Sequence, residues 1–432
     1  VLSRPDQLNN CHWQEVGDEP GQAATDHQGD GLEGLSAGET EWECGRRGWS
    51  EPGDFAKDLE NNLYRLWNRM ASGSYFPPPV RRVEIPKSNG GVRPLGIPTV
   101  ADRIAQMVVK QMLEPQLEPI FDQDSYGYRP GKSAHQAVES CRKRCWKYDW
   151  VVDLDIKGFF DSIDHDLLMR AIQFHTSERW VVLYLRRWLE APVELPDGRL
   201  QPRTSGTPQG GVISPLLANL FLHYTFDKWM RRSFPRVPFE RYADDVICHC
   251  HCRAEAERLM DALQERFTSC GLQLHPEKTK VVYCKDSSRR GQFDQIQFTF
   301  LGFCFRPRMA KNRYGEIFTS FLPAVSPQAL KRMRERIRKM HLRRRMFLPL
   351  EEIARLLNPI LGGWIQYYGR FYPTELRAKL FGYLNEHLSA WLRQKHSRLL
   401  RHDRRSRQVL ARIAQERRDL FAHWRGVDVA AG

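Results

Sequence analysis

The sequence predicts an α+β fold that passes into an all-helical, basic C-terminal part, and three observations carry that expectation. Between residues 80 and 320, segments with helical spacing alternate with short apolar runs that read as antiparallel strands, not as a doubly wound parallel sheet. Two of those runs meet at Asp244-Asp245 in a hairpin. From Pro327 onward the periodicity is helical, with nine Lys/Arg against one acid in 331–345 and 11 against three in 393–425.

In chain order, residues 1–50 are Gly-rich and acidic, a composition that favours disorder. Phe55, Leu59, Leu63, Leu66 and Trp67 fall at helical spacings, and Pro77-Pro78-Pro79 ends that helix in a stiff extended connector. Val151 to Ile156 reads as a strand, followed by a helix over Asp164 to Ile172. Ser214-Pro215 is the pattern of an N-cap followed by proline at the first helical position. Phe239 to Cys250 predicts the hairpin, Leu259 to Phe267 a helix ended by Gly271, and strands are expected around Leu272–Leu274, Val281–Tyr283 and Phe298–Phe305.

Forty-one per cent hydrophobic residues, with 12 Trp and 22 Phe, supply sizeable cores and exclude wholesale disorder. No run approaches the roughly 18 apolar residues of a membrane span, mean hydropathy is −0.57, and no secretory signal pattern opens the chain. The expectation is a soluble, intracellular protein. Residues 1–60 hold four Lys/Arg against 14 Asp/Glu, whereas the rest holds 62 against 38. That excess on the folded body points to a polyanionic partner.

Ten cysteines include no Cys-x-x-Cys pair. Cys248-His249-Cys250-His251-Cys252 alternates, so on a strand cysteines and histidines take opposite faces, and the run reads as a half-buried strand with free thiols, not as a zinc site. Gly127-Tyr-Arg-Pro-Gly131-Lys132-Ser133 imitates a P-loop, but three residues separate the glycines where four are needed. It reads instead as a basic turn, with Arg129 and Lys132 as candidate nucleic-acid contacts.

The ordered company of the carboxylates is more informative. Asp155 ends an apolar strand within Asp155-Ile-Lys-Gly-Phe-Phe160-Asp, and Tyr242-Ala-Asp244-Asp245 follows 89 positions later. Between them stands Gly206-Thr-Pro-Gln209-Gly-Gly211; after them come Pro276-Glu-Lys278-Thr-Lys280 and Phe300-Leu-Gly-Phe303. Carboxylates from two chain segments are what a pair of Mg²⁺ ions requires in nucleotidyl transfer. A Gly-rich stretch lets backbone approach nucleotide and template.

With Ile85-Pro-Lys87, Arg93-Pro-Leu-Gly-Ile-Pro98 and Ser125-Tyr-Gly-Tyr-Arg-Pro-Gly131, these blocks resemble the protein encoded by bacterial group II introns, a reverse transcriptase that is also a splicing maturase. The resemblance covers about residues 55–425. It implies a right-hand polymerase with fingers and palm at 55–320, a helical thumb or maturase domain at 321–390, and a basic, DNA-binding tail at 391–432, after a poorly patterned segment at 1–54. Asp155 and Asp244 would be metal ligands for two Mg²⁺ ions, with Asp245 in support and the Ile156 carbonyl a further donor. Lys87 and Arg93 match residues that grip the triphosphate, Gln209 one beside the nucleotide, and Phe160 the side chain that excludes a ribose 2′-hydroxyl. Its neighbour Phe159 reads as core. Lys278 matches the group that protonates pyrophosphate, with Lys280 left as an alternative.

Leu361-Gly-Gly-Trp364-Ile-Gln-Tyr367-Tyr368-Gly-Arg370-Phe371 resembles the thumb helix of the family. Its aromatic stripe reads as core, while Arg370 and the basic run Arg343, Arg344 and Arg345 are the expected RNA contacts. Implied partners are an intron RNA template, a DNA or RNA primer, dNTPs and target DNA, in a bacterial cytoplasmic ribonucleoprotein; oligomeric state is left open. Residues 1–50 depart from the family's basic N-terminal extension, and no Cys/His nuclease module follows the basic region. Template binding by that extension is therefore in doubt, and a full endonuclease role is not expected. A host-adapted reverse transcriptase of a CRISPR or defence system would share the catalytic residues. Phe160 and the maturase-like helix argue against a viral RNA polymerase, and intact carboxylates against a non-polymerising splicing cofactor.

Overall fold

A computed structural model describes residues 52–86 and 91–425. Within them the chain divides into two compact units: residues up to 141 together with 150–281, and residues 142–149 together with 282 onward. Lys87 and the segment at 1–51 lie outside the described residues, and of Arg93 only the backbone is described.

After a short separate helix at Pro52–Lys57, which breaks the run expected from Phe55 onward, comes helix α1 (Leu59–Ala71), whose buried Leu66 and Met70 lie four apart on one face. The three prolines after it run without regular structure into strand β1 (Val80–Pro86), which pairs antiparallel with β2 (Val92–Ile97), Ile85 opposite Arg93. Helix α2 (Val100–Leu117) starts at Thr99, whose hydroxyl accepts from the Asp102 amide. Helix α3 (Ala134–Cys145) leads to β3 (Trp150–Leu154). Asp164 caps α4 (His165–His175) by accepting from Leu167 N at 2.8 Å, and α5 (Arg179–Glu190) follows, then the short strands β4 (Val193–Glu194) and β5 (Leu200–Gln201).

Helix α6 (Ser214–Leu222) departs from the expected cap. It begins one residue earlier than the Ser-Pro pattern implies, and the Ser214 hydroxyl accepts from Thr207 Oγ1 at 2.9 Å instead of capping. The predicted hairpin is β6 (Phe239–Tyr242) and β7 (Asp245–Cys250), followed by α7 (Arg253–Ser269) and a left-handed Gly271. With β8 (Lys280–Tyr283), at which the first unit ends, they make a sheet in the order β6-β7-β3-β8.

Strand β7 is more enclosed than its alternation suggested. Val246, Ile247, Cys248, His249 and Cys250 are all fully buried. Helix α7 covers β3 and β7, so polar side chains here sit in core.

In the second unit, the segment expected as one strand around Phe298–Phe305 is two, β9 (Phe298–Phe300) and β10 (Phe303–Lys311), joined by a turn in which Leu301 and Gly302 both have positive φ (50° and 76°). β11 (Ile317–Val325) completes that sheet. Helices α8 (Pro327–Lys339), α9 (Leu350–Tyr368), α10 (Gly382–Lys395) and α11 (Asp403–Glu416) follow. Of the aromatic stripe, Tyr367, Tyr368 and Phe371 are core, as expected, and close on Phe303 with ring centroids 5.3–5.4 Å away, whereas Trp364 is half-buried; Tyr367 donates to Leu301 O at 2.9 Å. No helix among the described residues is long and apolar enough to cross a membrane.

Candidate active site

Three carboxylates collect at one end of the first unit's central sheet. Strand β3 runs antiparallel to β7 with Leu154 opposite Val246. Asp155, one residue further, therefore comes level with Asp245. Asp244 occupies the hairpin tip, between Tyr242 and Asp245, which pair across it. All three are partly exposed.

The backbone of Asp155 is held by the segment that follows α7. Its carbonyl accepts from His275 N at 2.8 Å, and its amide faces Thr279 Oγ1 at 3.4 Å. That segment delivers Lys278, whose Nζ stands 3.2 Å from Asp155 Oδ2. Lys280 instead acts on Asp153: burial and then the Asp155 charge push the Asp153 carboxyl up to about 8, and Lys280 opposes them. Carboxylate oxygens open to solvent are a hard donor set of the kind Mg²⁺ takes, so the residues present fit that ion.

The hairpin tip is strained and braced. Ala243 has φ 55°, a left-handed conformation unfavourable for a residue with a Cβ. Arg241, fully buried, bonds Asp227 through two nitrogens at 2.7 and 2.6 Å, and its Nη1 also donates to Asn219 Oδ1 at 2.8 Å and Ala243 O at 3.1 Å. Asn219 in turn donates to Gly127 O at 2.7 Å. A Cβ on Gly127 would stand 2.4 Å from Ala243 N, so only glycine allows the Ser125–Gly131 block to lie against the hairpin.

The Gly-rich loop is tied on both sides. Thr207 N donates to Phe160 O at 2.8 Å, and a Cβ on Gly206 (φ +81°) would meet the same oxygen at 2.6 Å. Further along, Gly96 N donates to Gln209 O at 2.8 Å, and Gly210 (φ +119°) passes so close to Gly96 O that a Cβ would stand 2.7 Å away. Gln106 on α2 accepts from Val212 N at 2.9 Å. Phe160, Gln209 and the strand that carries Arg93 are thereby connected by hydrogen bonds through one loop. Phe159 is core, packed toward Phe221, while Phe160 is only half-buried.

The expected RNA contacts are placed differently from one another. Arg129 is turned inward. Its guanidinium bonds Glu118 Oε1 at 2.9 Å and Ser125 O at 2.8 Å and lies over the Phe121 ring, so it braces the turn rather than presenting charge outward. Lys132 is half-buried, with Nζ 2.9 Å from Gln123 O and over the Tyr126 ring. In the second unit Arg343 and Arg344 are exposed on a single 3₁₀ turn, Leu342–Arg344. Arg345 is half-buried and Arg370 exposed.

The sequence of one family is written across both units. The profile of the family described as reverse transcriptase (RNA-dependent DNA polymerase) matches residues 85–305, and that described as group II intron, maturase-specific domain matches residues 330–409. The chain belongs to the group II intron reverse transcriptase/maturase family. Protein YkfC of Escherichia coli is 32% identical over 297 residues, 60% of this chain and 74% of YkfC. The group II intron-encoded protein LtrA of Lactococcus lactis is 38% identical over 189 residues, 44% of this chain and 31% of LtrA. Nuclear intron maturase 1, mitochondrial, of Arabidopsis thaliana is 31% identical over 85 residues, 20% of this chain and 12% of that protein. The match to LtrA thus spans under a third of that relative's length.

For a group II intron reverse transcriptase, the carboxylates are the part most visible in sequence. Arg241, Asn219 and Asp227 escaped notice. Their signal was adjacent charged residues, Glu240-Arg241, inside an otherwise apolar strand that had to be buried.

Proposed function

We propose that the chain is an RNA-directed DNA polymerase that extends a DNA or RNA primer with dNTPs on intron RNA, and that it assists that RNA's splicing and the intron's mobility into target DNA. The observation that carries the reading is the convergence of Asp155, Asp244 and Asp245 at one sheet end, behind a loop that ties Phe160 and Gln209 to the β1-β2 hairpin. In function, residues 55–320 are fingers and palm, 321–390 thumb and 391–432 a basic DNA-binding tail, as a bacterial cytoplasmic ribonucleoprotein.

Asp155 and Asp244, supported by Asp245 and the Ile156 carbonyl, would hold two Mg²⁺ ions, which supply activation of the primer 3′-hydroxyl and stabilisation of departing pyrophosphate. Lys87 and Arg93 bind the triphosphate oxygens as cations. Gln209 contacts the nucleotide beside the half-buried Phe160 ring, which leaves no room for a 2′-hydroxyl. Lys278, whose Nζ stands 3.2 Å from Asp155 Oδ2, gives its Nζ proton to the leaving pyrophosphate. Lys132, Arg343, Arg344, Arg345 and Arg370 contact RNA phosphates.

The test is primer extension on an RNA template, alongside self-splicing of the cognate intron at low magnesium. Asp244→Ala should lower extension at least ~100-fold while leaving RNA affinity close to wild type. Extension at the wild-type rate by that variant overturns the assignment.

A further inference from the structure

We propose that Cys141, Glu240 and His249 form a buried zinc site, separate from the magnesium-type carboxylates and structural in role. The three residues come from different elements: Cys141 from α3, Glu240 from β6 and His249 from β7. Their donor atoms, one thiol, one carboxylate oxygen and one imidazole nitrogen, all lie within 4.8 Å of one another. Each residue is 0% exposed. Glu240 stands opposite Ile247, and the His249 amide bonds Pro238 O, so the strand alternation brings both side chains to one sheet face.

Charge explains why these three types can share a dry interior. A thiolate and a carboxylate carry two negative charges, and neutral imidazole none, so a bound dication makes the site neutral. An uncompensated buried charge would cost several kcal/mol per ion. Without the ion, His249 Nε2 and Glu240 Oε2 stand 2.6 Å apart in a hydrogen bond. Zinc entry takes the place of that hydrogen bond and displaces the thiol proton of Cys141. The ion needs Nε2 and Oε2 about 3.4 Å apart, an opening of under ~1 Å.

The donor chemistry selects the metal. Thiolate and imidazole suit zinc, whereas magnesium takes oxygen donors. Three protein ligands leave the fourth tetrahedral position to one trapped water. With all three ligands buried, the ion is loaded as the chain folds and exchanges slowly afterwards. Its effect is to fasten α3 to the hairpin whose tip carries Asp244. The Cys248–Cys252 run that looks like a metal motif contributes only His249; Cys248 and Cys250 face the other way.

The full chain, expressed with zinc in the medium and dialysed against EDTA, should retain about one zinc ion per chain. Unfolding in the presence of a thiol-modifying reagent should release it. Cys141→Ala should fall to background, while Asp244→Ala should keep the ion, which separates this site from the catalytic carboxylates. Cobalt-grown wild-type protein should show thiolate-to-cobalt charge-transfer absorption, a readout that stands even where Cys141→Ala does not fold. Retention below about a tenth of an ion per chain, an unchanged zinc content in a folded Cys141→Ala, or a cobalt spectrum without thiolate absorption would each overturn the proposal.

Discussion

Arg241 Nη1 donates to the carbonyl oxygen of Ala243 at 3.1 Å, inside the same hairpin that presents Asp244 and Asp245. A fully buried cation thus holds the one residue whose left-handed backbone sets the direction of both carboxylates. Because Asp227 takes the other side of the guanidinium, the brace is anchored in the protein interior.

Arg241→Lys should keep the buried charge but lose the two-nitrogen grip on Asp227. Extension rate should fall by about tenfold or more, with KM for dNTP changed less, since positioning rather than nucleotide binding is disturbed. Arg241→Met leaves Asp227 buried and unpaired and should cost about 3–5 kcal/mol of stability. Denaturant unfolding and steady-state kinetics on the two variants separate these effects; wild-type kinetics in Arg241→Lys would remove the residue from any positioning role.

Phe160→Ala should raise ribonucleotide incorporation relative to deoxyribonucleotide by about tenfold or more, because the space under the sugar opens. Paired incorporation assays with one dNTP and its rNTP measure the ratio. Unchanged selectivity with activity preserved would make Phe160 a packing residue.

Replacing Arg343, Arg344 and Arg345 together with Ala should weaken intron RNA binding and reduce its salt slope by about 0.7–0.9 per lost phosphate contact. One or two lost contacts are expected, since Arg345 is half-buried. Short-primer extension at saturating template should survive and splicing at low magnesium should fail. Filter binding across a salt series, with both activities on the same preparation, checks this; equal loss of both activities would indicate a folding defect instead.

Acid should destabilise the second unit through His423. Its burial holds the imidazole down at about 3, with Nε2 against Asn385 Oδ1 at 2.8 Å. An unfolded histidine titrates near ~6.5, so between these values the unfolded chain binds a proton the folded chain refuses. The stabilisation is complete above pH ~6.5 and falls as pH drops, by about 2 kcal/mol from pH 7 to pH 5. Thermal midpoints over that range should slope less steeply in His423→Gln, and an identical slope would clear His423 of the effect.

What the sequence determined by itself was whatever depends on neighbours along the chain. The helix over Asp164 to Ile172, the hairpin around Asp244, the glycine that ends α7, and the order of the reverse transcriptase blocks are all local patterns of polarity, turn chemistry and spacing. Tertiary structure alone decided what each polar side chain meets across the fold. Arg129 looked like a surface cation until Glu118 and Ser125 took its guanidinium, and Ser214 looked like a cap until Thr207 took its hydroxyl. Arg241 finds Asp227 and Asn219, and His249 meets Glu240 with Cys141 close by, only because strands and helices distant in sequence pack together. Periodicity says which face is apolar, but a buried polar group must find its partner in three dimensions, and the cost of leaving it alone is what makes those distant contacts specific.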